Sequence, residues 1–139
     1  KKTVFFNWIV PNKWKIKSLP LSEWKKLEHA IYQFTNFKKI YWQRKNDSME
    51  NYFKKIKNSH VVVSIVGFGC HIAMLFNKPL ILLRGPTFFN EAKLYKNAII
   101  LKPETFCKIH SRKLNVYSKN CDCMKRIKYK TILKILKKY

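Results

Sequence analysis

Glycine is scarce in this chain: only Gly67, Gly69 and Gly85 occur in 139 residues. That excludes collagen-like repeats and flexible glycine-rich linkers, and it makes each glycine an informative position. Acidic residues are scarce too. Only Glu23, Glu28, Asp47, Glu50, Glu91, Glu104 and Asp122 are present, and no two of them share one element at acid/base spacing, which argues against a self-contained two-carboxylate centre. No uninterrupted run of ~20 apolar residues exists, so no transmembrane helix is expected. The longest apolar stretch, Val61 to Phe76, is broken by His71 and two glycines. The basic-then-apolar start meets Asn7 and Pro11 too early for a signal peptide. Without secretion signals, the four cysteines (Cys70, Cys107, Cys121, Cys123) do not suggest a disulfide framework. The expected location is cytoplasmic, either free or peripheral at the inner membrane.

What the chain has in abundance is lysine. Arginine occurs only at Arg44, Arg84, Arg112 and Arg126, so lysine supplies nearly all of the 30 basic residues behind a net charge of +23. A charge of that size is the footprint of a nucleic-acid or anionic-membrane binder. Readers of nucleic acid lean on arginine, however, whose planar fork pairs with phosphate and guanine. These lysines are scattered, and they accompany abundant Asn, Ile, Tyr and Phe, the skew that an AT-rich coding sequence produces. Nucleic acid is therefore not the preferred partner, although the charge favours any phosphorylated ligand. Hydrophobic residues at 47% and aromatics at 15% are ample for a core and exclude disorder.

Strand and helix patterns alternate, which predicts an α/β, Rossmann-like parallel sheet flanked by helices in a single domain spanning 1–139. Strands are expected over Thr3–Ile9, Lys39–Gln43, His60–Ile65, Pro79–Leu83 and Ala98–Leu101. Ser22 is expected to cap a helix running to Phe34, with Glu23 and Glu28 on its solvated face and Trp24 and Leu27 in the core. Asp47 or Ser48 caps a short helix, and Cys70–Phe76 forms another. A long segment, 103–124, carries three of the cysteines. A basic amphipathic helix over 129–138 follows, and it is expected to dock on its own domain rather than on an anionic membrane.

Two glycine turns follow apolar strands. Val61 to Ala73 reads as a buried strand, the turn Gly67-Phe68-Gly69, then a helix whose N-terminus offers free N–H groups and a positive dipole end. A diphosphate can sit there on Gly67, Gly69, Cys70 and His71. The second turn, Gly85-Pro86-Thr87, lies at the end of the next strand, so both belong to the carboxyl edge of the sheet where ligands gather. A dinucleotide fingerprint is excluded because no acidic residue follows at the required distance. Lys13, Trp8 and Trp14, after the first strand, are candidates for the same crevice. In the long segment, Cys107 and His110 with Cys121 and Cys123 suit a tetrahedral zinc or iron site of structural type. The alternative is buried structural thiols with a surface histidine.

The ordered set His71-Ile72-Ala73, Lys78-Pro79, Gly85-Pro86-Thr87 and Cys121-Asp122-Cys123-Met124-Lys125-Arg126-Ile127, preceded by Lys13-Trp14 and Leu19-Pro20-Leu21-Ser22-Glu23-Trp24, resembles glycosyltransferase family 9, the lipopolysaccharide heptosyltransferases. The resemblance implies the C-terminal, donor-binding half of a GT-B fold. It implies a nucleotide diphosphate sugar such as ADP-heptose as ligand, a lipid-linked or protein acceptor, and an N-terminal GT-B domain carrying the acceptor site and catalytic base. It also brings in a cysteine-bound iron known among some relatives near this place. His71 and Glu91 are the candidate catalytic groups on this chain. The pattern departs from the family where Val66-Gly67-Phe68 replaces its Asp-Thr-Gly, where Phe88 replaces an Asp, and between Trp42 and Asn58, where the chain is short and a βα unit usual in the family is missing. A non-catalytic remnant or assembly domain is therefore the alternative.

Overall fold

Apolar residues on both faces of every central strand require two covering layers. The computed structural model describes residues 2–86, 95–107 and 120–139. Its five strands are β1 (Thr3–Asn7), β2 (Lys39–Trp42), β3 (Val61–Ile65), β4 (Leu80–Leu83) and β5 (Ala98–Leu101). They form one sheet in the order β2-β1-β3-β4-β5, all parallel, with Phe5 opposite both Tyr41 and Val62.

Side-chain alternation sorts the core into two sides. Val4 and Phe6 of β1, Val61, Val63 and Ile65 of β3, and Ile81 and Leu83 of β4 point one way. There they meet Leu27 and Ile31 of α1 (Leu21–Phe34) and Ile132 and Leu136 of the C-terminal α4 (Tyr129–Leu136). Phe5, Val62, Leu80 and Leu82 point the other way, onto Tyr52 and Ile56 of α2 (Met49–Lys57) and Ile72 and Ala73 of α3 (Phe68–Leu75). Each large side chain buried completely in this way contributes about 1.5–3 kcal/mol.

Several element ends differ from the sequence reading for local reasons. β1 stops at Asn7 because the N–H groups of Trp8 and Ile9 donate to Gln43 Oε1, at 3.1 and 3.0 Å, instead of to a neighbouring strand. α1 begins after Pro20, whose carbonyl accepts from Glu23 N, and no side chain caps it; Ser22 is exposed inside the first turn rather than acting as the cap. Ser48 does cap α2, its Oγ accepting from Asn51 N at 3.1 Å. α3 begins at Phe68, so Gly69 lies inside its first turn rather than before it.

Glu23 is not on a solvated face. It is 8% exposed, and its Oε2 accepts from the backbone N–H of Tyr129 at 2.9 Å. Tyr129 is the first residue of α4, so a carboxylate from α1 satisfies a donor at the start of a helix more than a hundred residues away and complements its dipole. Glu28, likewise, accepts from Trp42 Nε1. The docked position of the last helix thus rests on its apolar stripe together with this charged contact. Glu23→Ala is expected to lower unfolding free energy by about 1–2 kcal/mol in urea titration, and to loosen α4 first in hydrogen exchange.

Candidate functional site

From β1 the chain runs out to β2 on one side, then crosses back to β3 on the other. Loops leaving the carboxyl ends of β1 and β3 therefore diverge, and the crevice between them is where open α/β sheets hold ligands. A cavity of about 720 Å³ occupies that place. Its floor is Asn7, Ile65 and the turn Gly67-Phe68-Gly69. One wall comes from the segment after β1, with Asn12, Trp14 and Lys17. The other comes from the β2–α2 connection, with Gln43, Arg44, Lys45, Asp47 and Met49.

The floor is built on a buried polar chain. Tyr52 Oη donates to Asn7 Oδ1 at 2.6 Å. Asn7 Nδ2 donates to Ser64 Oγ at 2.8 Å, and Ser64 Oγ donates to the Ile65 carbonyl at 2.6 Å. Asn7, Tyr52 and Ser64 are all buried. Burial first, and then the neighbouring Cys70 thiol, push the Tyr52 phenol well above its ordinary range, so it remains a donor at any working pH. Gly69 sits against this chain: a Cβ there would lie 2.4 Å from Asn7 Cγ and from Tyr52 Oη. The glycine is required by close packing, which lets the first turn of α3 descend onto β1 and α2. Gly67, the residue before α3, has extended backbone and offers no capping side chain. The first-turn N–H groups and the dipole end of α3 thus lie beside the cavity floor.

The rim is cationic. Lys17 Nζ lies 4.1 Å from the centre of the Trp14 ring, and burial lowers its pKa. Arg44 and Lys45 are exposed on the facing wall. Asp47 is the one carboxylate among the described lining residues. Its oxygens accept from Lys55 Nζ at 2.8 and 2.7 Å, Asn51 Nδ2 at 3.1 Å and Arg44 N at 3.1 Å. Burial works to raise its pKa, but Lys55 above all keeps it below the usual value. Asp47 is an internally neutralised brace, and the field in the cavity is that of the surrounding cations.

Of the residues singled out in the sequence, Gly67, Gly69 and Trp14 line the cavity. Cys70 is buried and donates its thiol to the Gly67 carbonyl at 2.8 Å. His71 is exposed on α3, outside the lining. Lys13 Nζ lies 5.4 Å from the Trp14 ring on that segment, and Lys17 takes the place expected of Lys13 in the cavity. Trp8, partly buried at the margin of the core, packs edge-on against Trp42 and donates Nε1 to the Gln43 carbonyl. Gly85 and Pro86 are buried. A Cβ on Gly85 would lie 2.6 Å from Met124 Sδ, so this glycine admits the C-terminal segment. Thr87, Glu91 and His110 lie outside the described residues. Asn7, Tyr52, Lys17 and Arg44 were not singled out. The one signal for Asn7 was a lone amide ending an otherwise apolar strand at its carboxyl edge.

Three of the four expected metal ligands come together. The sulfurs of Cys107, Cys121 and Cys123 lie within 4.8 Å of one another, all buried, with Cys107 Sγ and Cys121 Sγ 3.5 Å apart. Tetrahedral zinc with bonds of about 2.3 Å separates its sulfurs by about 3.8 Å, so the three fit a thiophilic ion. Burial raises the Cys121 thiol and pushes Cys123 up to about 12. Metal uptake must therefore displace protons, and zinc affinity is expected to rise at least about tenfold per pH unit between pH 6 and 8 in competition titrations. For the cavity floor, Gly69→Ala is expected to cost about 1–3 kcal/mol of stability by thermal or urea unfolding. Tyr52→Phe, which orphans Asn7 Oδ1, is expected to cost about 1–2 kcal/mol.

No family model and no curated protein matches the chain by sequence. Solved structures do match. Escherichia coli ADP-heptose lipopolysaccharide heptosyltransferase II aligns with a TM-score of 0.73 at 13% identity, over 97% of this chain and 45% of that one. The E. coli heptosyltransferase WaaC with ADP aligns at 0.65 and 14%, over 99% and 43%, and the same enzyme with ADP-2-deoxy-2-fluoro heptose at 0.63 and 14%, over 99% and 42%. The chain thus has the fold of a portion of these heptosyltransferases and spans less than half their length.

Proposed function

We propose that this chain is the donor-binding domain of a heptosyltransferase-like glycosyltransferase, and that its cavity binds a nucleotide diphosphate sugar, ADP-heptose being the leading candidate. The observation that carries this reading is the cavity at the β1/β3 crossing, where the start of α3 and a rim of Lys17, Arg44 and Lys45 converge on one space. That arrangement suits a diphosphate, with backbone N–H groups on one side and cationic side chains on the other. Phe68, a lining residue that is 55% exposed, and Met49 offer apolar surface for a base or sugar. Support also comes from the neighbours solved with ADP and with a fluoro-heptose analogue.

On this reading, transfer to a lipid-linked or protein acceptor needs an N-terminal GT-B domain that supplies the acceptor site and the base, with His71 and Glu91 as this chain's candidates for the reacting end. Val66 in place of the family's Asp predicts that the sugar is held differently. A structural zinc or iron on Cys107, Cys121 and Cys123, with His110 as fourth ligand, completes the proposal.

Calorimetric titration with ADP, ADP-heptose and other nucleotide sugars at moderate salt tests it. Saturable one-to-one binding is expected, weakened about tenfold by Lys17→Ala or Arg44→Ala, each removing one charge-assisted contact. Absence of binding by the folded chain would overturn the donor reading in favour of an assembly or remnant domain.

A further inference from the structure

The three thiols stand behind two loops at the ligand end of the sheet. Ile16 packs against Cys107, Cys121 and Cys123. It belongs to the 3-10 segment Asn12–Lys17, whose Trp14 and Lys17 line the cavity. That segment has no buried residue and no side-chain cap, and it departs from helical geometry at Trp14. Within the segment, Lys13 and Lys17 stack locally on the Trp14 ring. On the other side, Cys123 opens a second 3-10 segment, Cys123–Arg126, and the adjacent Met124 fills the space above Gly85. Phe106, next to Cys107, also packs on the thiols and lies under the Arg84 guanidinium, 5.3 Å from ring centre to carbon. The segment after β1 therefore packs on the cysteine cluster directly, outside the cavity itself, while Arg84 and Gly85 after β4 meet the cluster's neighbours Phe106 and Met124.

We infer that Cys107, Cys121 and Cys123 form a metal-set brace that fixes the 12–17 segment through Ile16, so that loading the cluster with a thiophilic ion tightens nucleotide binding in the separate cavity. This rests on the nucleotide reading above. A ligand-binding wall that is ordered before the ligand arrives lowers the cost of binding, which is the basis of such coupling. Linkage makes it reciprocal: the nucleotide raises metal affinity by the same factor. Ile16 acts here as a positioning residue and touches no ligand.

The test uses the full chain in two states: loaded with zinc and freed of excess, and stripped by chelator. ADP affinity is read by calorimetry, and backbone exchange of residues 12–17 by mass spectrometry without nucleotide. The expected result is about tenfold tighter ADP binding in the loaded state, with slower exchange confined to 12–17 and the residues around the thiols. Ile16→Ala, a change at a half-buried position, is expected to retain the zinc stoichiometry and the fold while binding ADP as weakly as the stripped chain. The inference is overturned if the chain takes up no zinc, if both states bind ADP equally, or if Ile16→Ala is indistinguishable from the parent when loaded. If neither state binds any nucleotide, the donor reading fails. The exchange data still decide the brace: zinc-dependent protection of 12–17 sustains it, and equal exchange removes it.

Discussion

The site depends on a buried amide. Asn7 ends β1 at the point where the sheet divides, and its side chain uses both ends, accepting from Tyr52 of α2 and donating to Ser64 of β3. In a low-dielectric interior an unpaired amide is costly, so the three side chains are fixed relative to one another. Gly69 then allows α3 to rest directly on them. One hydrogen-bonded group thereby sets the distance between two strands and two helices and leaves the start of α3 facing an open space. The cavity is a consequence of that packing.

Charge is arranged around the same point by subtraction. Asp47 accepts from three donors, Arg44 N, Asn51 Nδ2 and Lys55 Nζ, and neutralises Lys55. Lys17 is braced over Trp14. What reaches the cavity is the remaining positive field, which suits a phosphorylated ligand and gives a specific meaning to a small share of the +23 charge. The rest of the lysine is spread across exposed helix faces such as α4, where Lys130 and Lys134 are exposed while Ile132, Leu133 and Leu136 are buried.

Much of this was legible in the sequence. Continuous β-branched and leucine runs at 61–65 and 80–83 placed the central strands, since only a doubly covered sheet buries such segments throughout. The strand–glycine–helix order placed α3, and the Cys-rich segment brought three of its four proposed ligands together. What was not legible depended on contacts between distant residues. Glu23 read as a solvated helix residue because nothing local shows that α4 begins beside it. Lys13 and Lys17 are alike in composition, and only the path of the 12–17 segment decides which one lines the cavity. Gly69 and Gly85 read alike as loop glycines, yet one makes room for Asn7 and Tyr52 and the other for Met124. In both cases the glycine answers a neighbour far away in the chain.

The most direct measurement is a backbone amide chemical-shift map of the isotope-labelled chain as ADP is added at moderate salt. The account requires shifts concentrated at Gly67, Phe68 and Gly69, in the 12–17 segment and around Arg44 and Lys45, saturating together with one affinity. Shifts spread thinly over the exposed lysines of α1 and α4, without saturation and fading as salt rises, would contradict it and leave the cavity without its proposed ligand.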